Sequence, residues 1–213
     1  MKTLITGASR GVGAALLDAC RSAGHDVQGT ATATEGLIPL DVTDPEGFGA
    51  LKAAAGDRLD LLVCNAGVYL EKGQRIEDGY AADLWAKTFA TNVTGVFLTV
   101  QHLLPALKAA EGAKIAIISS QMGSSERAGG NSLIYRSSKA AALNLGRNLA
   151  VALKDQGIAV GIYHPGWVRT DMGGSGADIS PEQSAAGLLQ RFEALSLSTS
   201  GCFEMWNGEP MPF

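Results

Sequence analysis

The chain has few of the features that would settle its class at once. Cysteine is scarce: Cys20, Cys64 and Cys202 are odd in number and far apart among 213 residues. They make no metal-binding spacing and no paired disulfide framework, and the expectation is free thiols in a cytoplasmic protein. There is no basic run, and the net charge is −4, so nucleic acid is not an expected partner. No apolar run approaches the roughly 18 residues of a membrane span. The opening residues MKTLITG read as strand and lack the apolar core and cleavage site of a secretory signal. No internal repeat and no linker-like stretch is visible, so a single domain over 1–213 is expected. A chain of this length buries roughly 70% of its unfolded surface, enough to fold without a staple.

Glycine, by contrast, is abundant, with 27 residues. One group of glycines has a clear context. Lys2 to Thr6 is a short apolar strand, Gly7-Ala8-Ser9-Arg10-Gly11-Val12-Gly13 follows, and Val12, Leu16, Ala19 and Ala23 then recur at helical spacing. Glycines between a strand and a helix permit a tight turn and close approach of a pyrophosphate to the helix N-terminus. An acidic residue holding the ribose 2′-hydroxyl is expected about 20 residues later, but that region reads Gly29-Thr30-Ala31-Thr32-Ala33-Thr34-Glu35. Arg10, inside the turn, suits a 2′-phosphate. NADP is therefore the favoured cofactor, the alternative being NAD with Glu35 at the ribose.

Further strands are expected at Val27–Thr30, Leu37–Leu40, Leu59–Cys64, Ile115–Ser119, Ile158–Tyr163 and Cys202–Met205. Helices are expected from Asp44-Pro45 to Ala55, over 81–109 with interruptions at Asn92, Thr94 and Gly95, over 133–156, and from Ser180-Pro181. Strands alternating with helices predict an α/β fold, a doubly wound parallel sheet covered on both faces. The six residues between Thr30 and Leu37 are too few for a crossover helix.

The chemistry-bearing stretch runs from Ile115 to Leu145. An apolar strand ends in Ser119-Ser120, and a helix then carries Tyr135 and Lys139, one turn apart on the same face. A nearby ammonium favours phenolate, which would bring the phenol toward acid/base work at neutral pH. Ser120 is placed to hydrogen-bond a carbonyl oxygen.

Taken in order, Thr6-Gly7-x-x-x-Gly11-x-Gly13, Asn65-Ala66-Gly67, Ser120 with Tyr135-x-x-x-Lys139, and Pro165-Gly166 with Thr170 resemble the short-chain dehydrogenase/reductase family. The ending, with HPGWVRTDMGG, SPEQSAAG and residues 201–213, looks most like its C-factor-type carbonyl reductases. The resemblance covers nearly the whole chain and implies a Rossmann-fold NAD(P)H-dependent oxidoreductase acting on a ketone or aldehyde, or on the alcohol in reverse. It implies Tyr135 as acid/base, Lys139 on the nicotinamide ribose, Ser120 (with Ser119 as runner-up) orienting substrate, and Asn92 holding a relay water.

For the cofactor, the resemblance implies contacts from Gly7, Ser9, Arg10, Gly11, Val12 and Gly13. It adds Thr30 and Thr32 at a 2′-phosphate, Asp41 and Val42 at the adenine, and Asn65, Ala66 and Gly67 beside the adenine ribose. Pro165, Gly166, Val168 and Thr170 would flank the nicotinamide. Asp41 could instead be a helix cap. Tyr69, Trp167, Met172 and the loop holding Glu126, Arg127, Gly129 and Gly130 are candidate walls of the substrate pocket. The short segment at Thr34–Leu37 predicts an open adenosine end and relaxed cofactor selectivity. Relatives of this type often form homodimers. The alternative function is a low-turnover dinucleotide-binding signalling protein, which would have no chemical need for Tyr135 together with Lys139.

Overall fold

The computed structural model describes all residues from Met1 to Phe213. Seven parallel strands lie in the order β3-β2-β1-β4-β5-β6-β7. They are β1 (Lys2–Ile5), β2 (Asp26–Ala31), β3 (Ile38–Pro39), β4 (Leu61–Cys64), β5 (Lys114–Ile118), β6 (Ala159–His164) and β7 (Phe203–Met205). The helices are α1 (Gly11–Ser22), α2 (Gly49–Ala55), α3 (Ala82–Phe89), α4 (Gly95–Lys108), α5 (Leu133–Leu153) and α6 (Pro181–Ala194). The doubly wound α/β architecture expected from the sequence is present.

β4 throughout, and β5 after Lys114, are apolar because both faces of the sheet are covered. Along β4, Leu62 and Cys64 enter the core beneath α2 and α4, while Leu61 and Val63 enter the core beneath α1 and α6. In β5, Ile115 and Ile117 face the first core, and Ala116 and Ile118 the second. Such side chains are inaccessible to solvent, so truncating Leu62 to alanine is worth about 2–5 kcal/mol.

Local signals set the helix starts. Asp44 accepts from the Glu46 N–H at 3.0 Å and caps a 3₁₀ turn (Pro45–Phe48) that leads into α2. Ser180 and Gln183 form a reciprocal capping box at α6. Between α3 and α4 the chain stays helical through one π turn, Ala90–Thr94, which contains Asn92. The propensity break at Asn92, Thr94 and Gly95 thus becomes a bulge rather than an end. The β2–β3 connection carries no helix, and β3 pairs over only Thr30–Ile38 and Ala31–Pro39. Residues 32–36 are exposed, leaving that end of the sheet uncovered.

Candidate active site

The ends of β1, β4, β5 and β6 converge on one cleft at the carboxyl edge of the sheet, where strand order reverses between β1 and β4. The cleft measures about 710 Å³ and continues into a second cavity of about 300 Å³.

The first wall is the glycine turn. Gly7 has φ of +68°, and a Cβ there would sit 2.8 Å from the Ala66 Cα. Gly13 allows α1 to approach so closely that a Cβ would collide with the Gly7 carbonyl oxygen. Asn65 fastens this turn to β4: its Nδ2 donates to the carbonyl oxygens of Thr6 and Gly7 at 3.1 and 2.9 Å. The Thr6 hydroxyl accepts from the Asn65 and Ala66 N–H groups at 3.0 and 3.1 Å. The result is a narrow, glycine-lined cradle at a helix N-terminus, which fits the pyrophosphate of a dinucleotide. The lining of the same cleft takes in Thr32, Asp41 and Val42 as well as Tyr135, Lys139 and Pro165.

Around the cradle the predicted residues divide. Gly7, Ser9, Arg10, Gly11, Val12, Gly13, Asn65, Ala66, Gly67 and Thr170 line the cleft. Gly166 and Val168 line the adjoining cavity instead. Thr30 lines the cleft but is 1% exposed, and its hydroxyl accepts from the Gly7 N–H at 3.3 Å. It supports the glycine turn and does not stand free for a phosphate. Asp41 is no helix cap, since Asp44 takes that place; its Oδ1 accepts from the Thr43 N–H and hydroxyl at 2.9 and 2.7 Å. Arg10 reaches across the cleft mouth to Asp171, Nη1 to Oδ2 2.9 Å, with both side chains exposed. Glu35 lies outside the cleft lining, which removes the support for a ribose-holding carboxylate there.

The second wall carries the reactive groups. Tyr135 and Lys139 lie in the first turns of α5 and are both buried. Lys139 Nζ donates to the Ile118 carbonyl oxygen at 3.0 Å and lies 5.6 Å from the centre of the Tyr135 ring. Burial pulls the lysine down to about 8. The tyrosine is pushed up to about 12, chiefly by burial and further by Tyr69 and Glu71, while the Ser120 hydroxyl favours the phenolate. The expected lowering of the phenol by Lys139 is therefore not found; Ser120 alone opposes the rise.

The two serines part company. Ser119 donates its hydroxyl to the Lys139 carbonyl oxygen at 3.0 Å and packs β5 on α5. Ser120 caps the next turn, accepting from the Met122 N–H at 3.1 Å, and lines the second cavity beside Tyr135. Asn92 lines neither space. Its Nδ2 donates to the Val68 carbonyl oxygen and the Ser138 hydroxyl at 3.0 and 2.9 Å, and its Oδ1 accepts from the Val68 N–H at 2.8 Å. One lone pair of Oδ1 remains free. A Cβ on Gly67 would sit 3.3 Å from this oxygen and 3.4 Å from Lys139 Nζ, so Asn92 and the lysine face each other across a glycine.

Tyr69, Trp167 and Met172 do wall the second cavity, together with Gln121 and Met122. Glu126, Arg127, Gly129 and Gly130 do not. That loop turns away because the Arg127 carbonyl oxygen accepts from Arg136 at 2.9 Å and Glu126 N–H donates to the Phe213 carbonyl oxygen at 3.3 Å. Sequence reasoning missed His164 and Glu71. His164 is 5% exposed and lines the cavity at the end of β6, with an unpartnered Nδ1. Glu71, in the loop after β4, is 1% exposed and touches the backbone of Tyr135.

Comparison with known proteins agrees with this geometry. Residues 2–178 match the family described as short chain dehydrogenase. The chain is 33% identical over 223 residues to 1-hydroxy-2-glutathionyl-2-methyl-3-butene dehydrogenase of Rhodococcus sp. (strain AD45), covering 96% of each. It is 34% identical to C-signal of Myxococcus xanthus over 73% of this chain and 93% of that one. Among solved structures, NADPH-bound carbonyl reductase from chicken fatty liver superposes with a TM-score of 0.89 at 31% identity, covering 100% of this chain and 98% of that chain. With its glycine turn, its Asn65 brace and its Tyr135–Lys139 pair in one cleft, the chain belongs to the short-chain dehydrogenase family.

Proposed function

We propose that the protein reduces a ketone or aldehyde with NADPH, and oxidises the corresponding alcohol in reverse. The observation that carries this reading is the buried Tyr135 beside Lys139 and Ser120, at the junction of a dinucleotide-sized cleft and a smaller cavity. A nicotinamide held in the cleft supplies the hydride.

The chain's own residues do the rest. The Ser120 hydroxyl and the Tyr135 phenol converge on the second cavity, where a carbonyl oxygen would sit. Tyr135, a protonated phenol at neutral pH, donates its proton to that oxygen as negative charge develops. Lys139 supports the departing proton: its ammonium returns one to the tyrosine through water shared with Asn92 Oδ1. Lys139 also has ammonium protons left over from its Ile118 bond for the ribose hydroxyls. Tyr69, Trp167, Met122 and Met172 exclude water from one side and favour an apolar substituent on the carbonyl.

In the cradle, Gly7, Gly11 and Gly13 with Ser9 and Val12 take the pyrophosphate, and Arg10 with Thr32 takes the 2′-phosphate after leaving Asp171. Asp41 and Val42 meet the adenine, Asn65–Gly67 the ribose, and Pro165 and Thr170 the nicotinamide end. Relatives bearing NADPH and named carbonyl reductase support the cofactor and the reaction class. The same reading takes the working form to be a homodimer, supported by the exposed Phe97 on α4 and Val151 on α5. It takes the location to be cytoplasmic, supported by three free cysteines. No helix is long and apolar enough to cross a membrane.

The test is NADPH consumption with a panel of aliphatic and aromatic carbonyls, repeated with NADH. Turnover with NADPH and a lower KM for it than for NADH is expected. No turnover of any carbonyl, or a strong NADH preference, contradicts the reading.

A further inference from the structure

The helix that carries Tyr135 and Lys139 begins without a local cap. Ser132, at its N-cap position, has φ of +52° and ψ of +47°, a left-handed conformation that a serine rarely adopts. Its hydroxyl makes no bond to the first turn and instead pairs with the Tyr69 hydroxyl. The first turn is capped from another part of the chain. Glu71, in the loop after β4, accepts from the backbone N–H of Tyr135 itself through Oε1 at 2.6 Å.

Glu71 is an unusual group for that task. It is 1% exposed, yet its second oxygen, Oε2, is buried with no hydrogen-bond partner. Burying a carboxyl group with one oxygen unpartnered is unfavourable. The partial positive charge at a helix N-terminus offsets part of this. A serine or asparagine cap would satisfy the same N–H with no buried charge. The same loop also brings Tyr69 against the catalytic ring, with ring centres 4.6 Å apart.

We propose that Glu71 is a positioning residue for Tyr135: it caps α5 at the proton donor's own backbone N–H and so places a carboxylate against that residue, biasing the site toward proton donation. The proposal rests on the acid role of Tyr135 given above. Reduction needs the phenol as donor, so a neighbouring anion that resists phenolate formation favours this direction at neutral pH. Other groups around the phenol act as well. Tyr69 comes from the same loop, Lys139 from α5 and His164 from the end of β6, while Arg169 and Asp171 lie across the cleft. Glu71 is the carboxylate whose oxygen touches the Tyr135 backbone.

The test compares Glu71→Gln and Glu71→Asp with wild type, measuring thermal stability and the pH dependence of kcat for reduction and for alcohol oxidation. Glu71→Gln keeps an oxygen for the N–H and removes the charge. Removing an anion makes proton loss easier, so the apparent pKa values of the Tyr135–Lys139 pair should fall by roughly half a unit or more in both directions. Oxidation near neutral pH should rise relative to reduction. Glu71→Asp keeps the charge but draws it back by one methylene; its limbs should stay with wild type while kcat falls. Wild-type limbs in Glu71→Gln, or an equal acid shift in Glu71→Asp, would overturn the proposal. If Glu71→Gln fails to fold, Glu71→Ser, a shorter neutral oxygen acceptor, takes its place: an acid shift of the limbs is expected, and wild-type limbs would overturn the proposal. Loss of activity in Tyr135→Phe together with unmoved limbs in Glu71→Gln would sink the Glu71 role and leave the proposed function standing.

Discussion

The Asn65 amide nitrogen and the Gly13 α-carbon face each other so closely that a methyl group on the glycine would lie 2.5 Å from Nδ2. The same Nδ2 holds the Thr6 and Gly7 carbonyl oxygens. The cradle, the start of α1 and the end of β4 are therefore one rigid unit, and the proposed pyrophosphate site depends on all three.

Gly13→Ala should open this unit. The added methyl must displace both the Gly7 carbonyl oxygen and Asn65 Nδ2, since it would collide with each. NADPH affinity is expected to fall tenfold or more, equivalent to about 1.4 kcal/mol. Overpacking should also cost about 1–3 kcal/mol of stability. Fluorescence titration with NADPH and thermal unfolding check both; unchanged affinity would show that the turn is not the phosphate cradle.

The serines give a paired test. Ser120→Ala removes the hydroxyl that faces the second cavity and should lower kcat about 10²-fold. Ser119→Ala removes the bond to the Lys139 carbonyl oxygen and should cost about 1 kcal/mol of stability while keeping kcat within a few-fold. Steady-state rates of the two variants, with their unfolding midpoints, separate orienting from packing. A reversed pattern would exchange the assignments.

In the proposed binding mode Arg10 must leave Asp171 to meet a 2′-phosphate. An exposed ion pair is worth about 0–1 kcal/mol, so Asp171→Asn should lower KM for NADPH by a few-fold at most and leave KM for NADH unchanged. Arg10→Ala should raise KM for NADPH alone. Equal effects on both cofactors would remove Arg10 from the 2′-phosphate site.

His164 sets an acid limit on the fold. Burial, with Arg127 adding to it, lowers its pKa from 6.5 to about 4. The unfolded chain takes up a proton that the folded chain refuses. The stability due to neutral His164 is thus complete above about 6.5 and is lost as pH falls toward 4. The effect is on the order of 3 kcal/mol. His164→Gln should unfold less steeply with falling pH over that interval, measured by denaturant titration. Parallel curves for the two proteins would contradict the assignment.

Much of this was legible in the sequence because the relevant signals are local. Strand–glycine turn–helix, the double-faced apolar strands and the Tyr135–Lys139 spacing each need only neighbouring residues to be read. What escaped depended on distant partners. Thr30 looked free for a phosphate until Gly7 met it, and nothing near Glu71 signals that it reaches Tyr135, 64 residues away. The loop holding Glu126 and Arg127 seemed a pocket wall because its fastening to Arg136 and Phe213 is tertiary. The lysine's influence on the phenol was overestimated because burial, which dominates both groups, cannot be weighed from spacing.

The central claim is that the Tyr135 phenol delivers the proton. Substituting Tyr135→Phe removes one hydroxyl and keeps the ring that packs against Tyr69. Single-turnover reduction of a carbonyl by NADPH, with NADPH binding measured in parallel, tests it most directly. The rate should fall about 10²–10⁴-fold with cofactor affinity nearly unchanged. A rate within a few-fold of wild type would contradict the account.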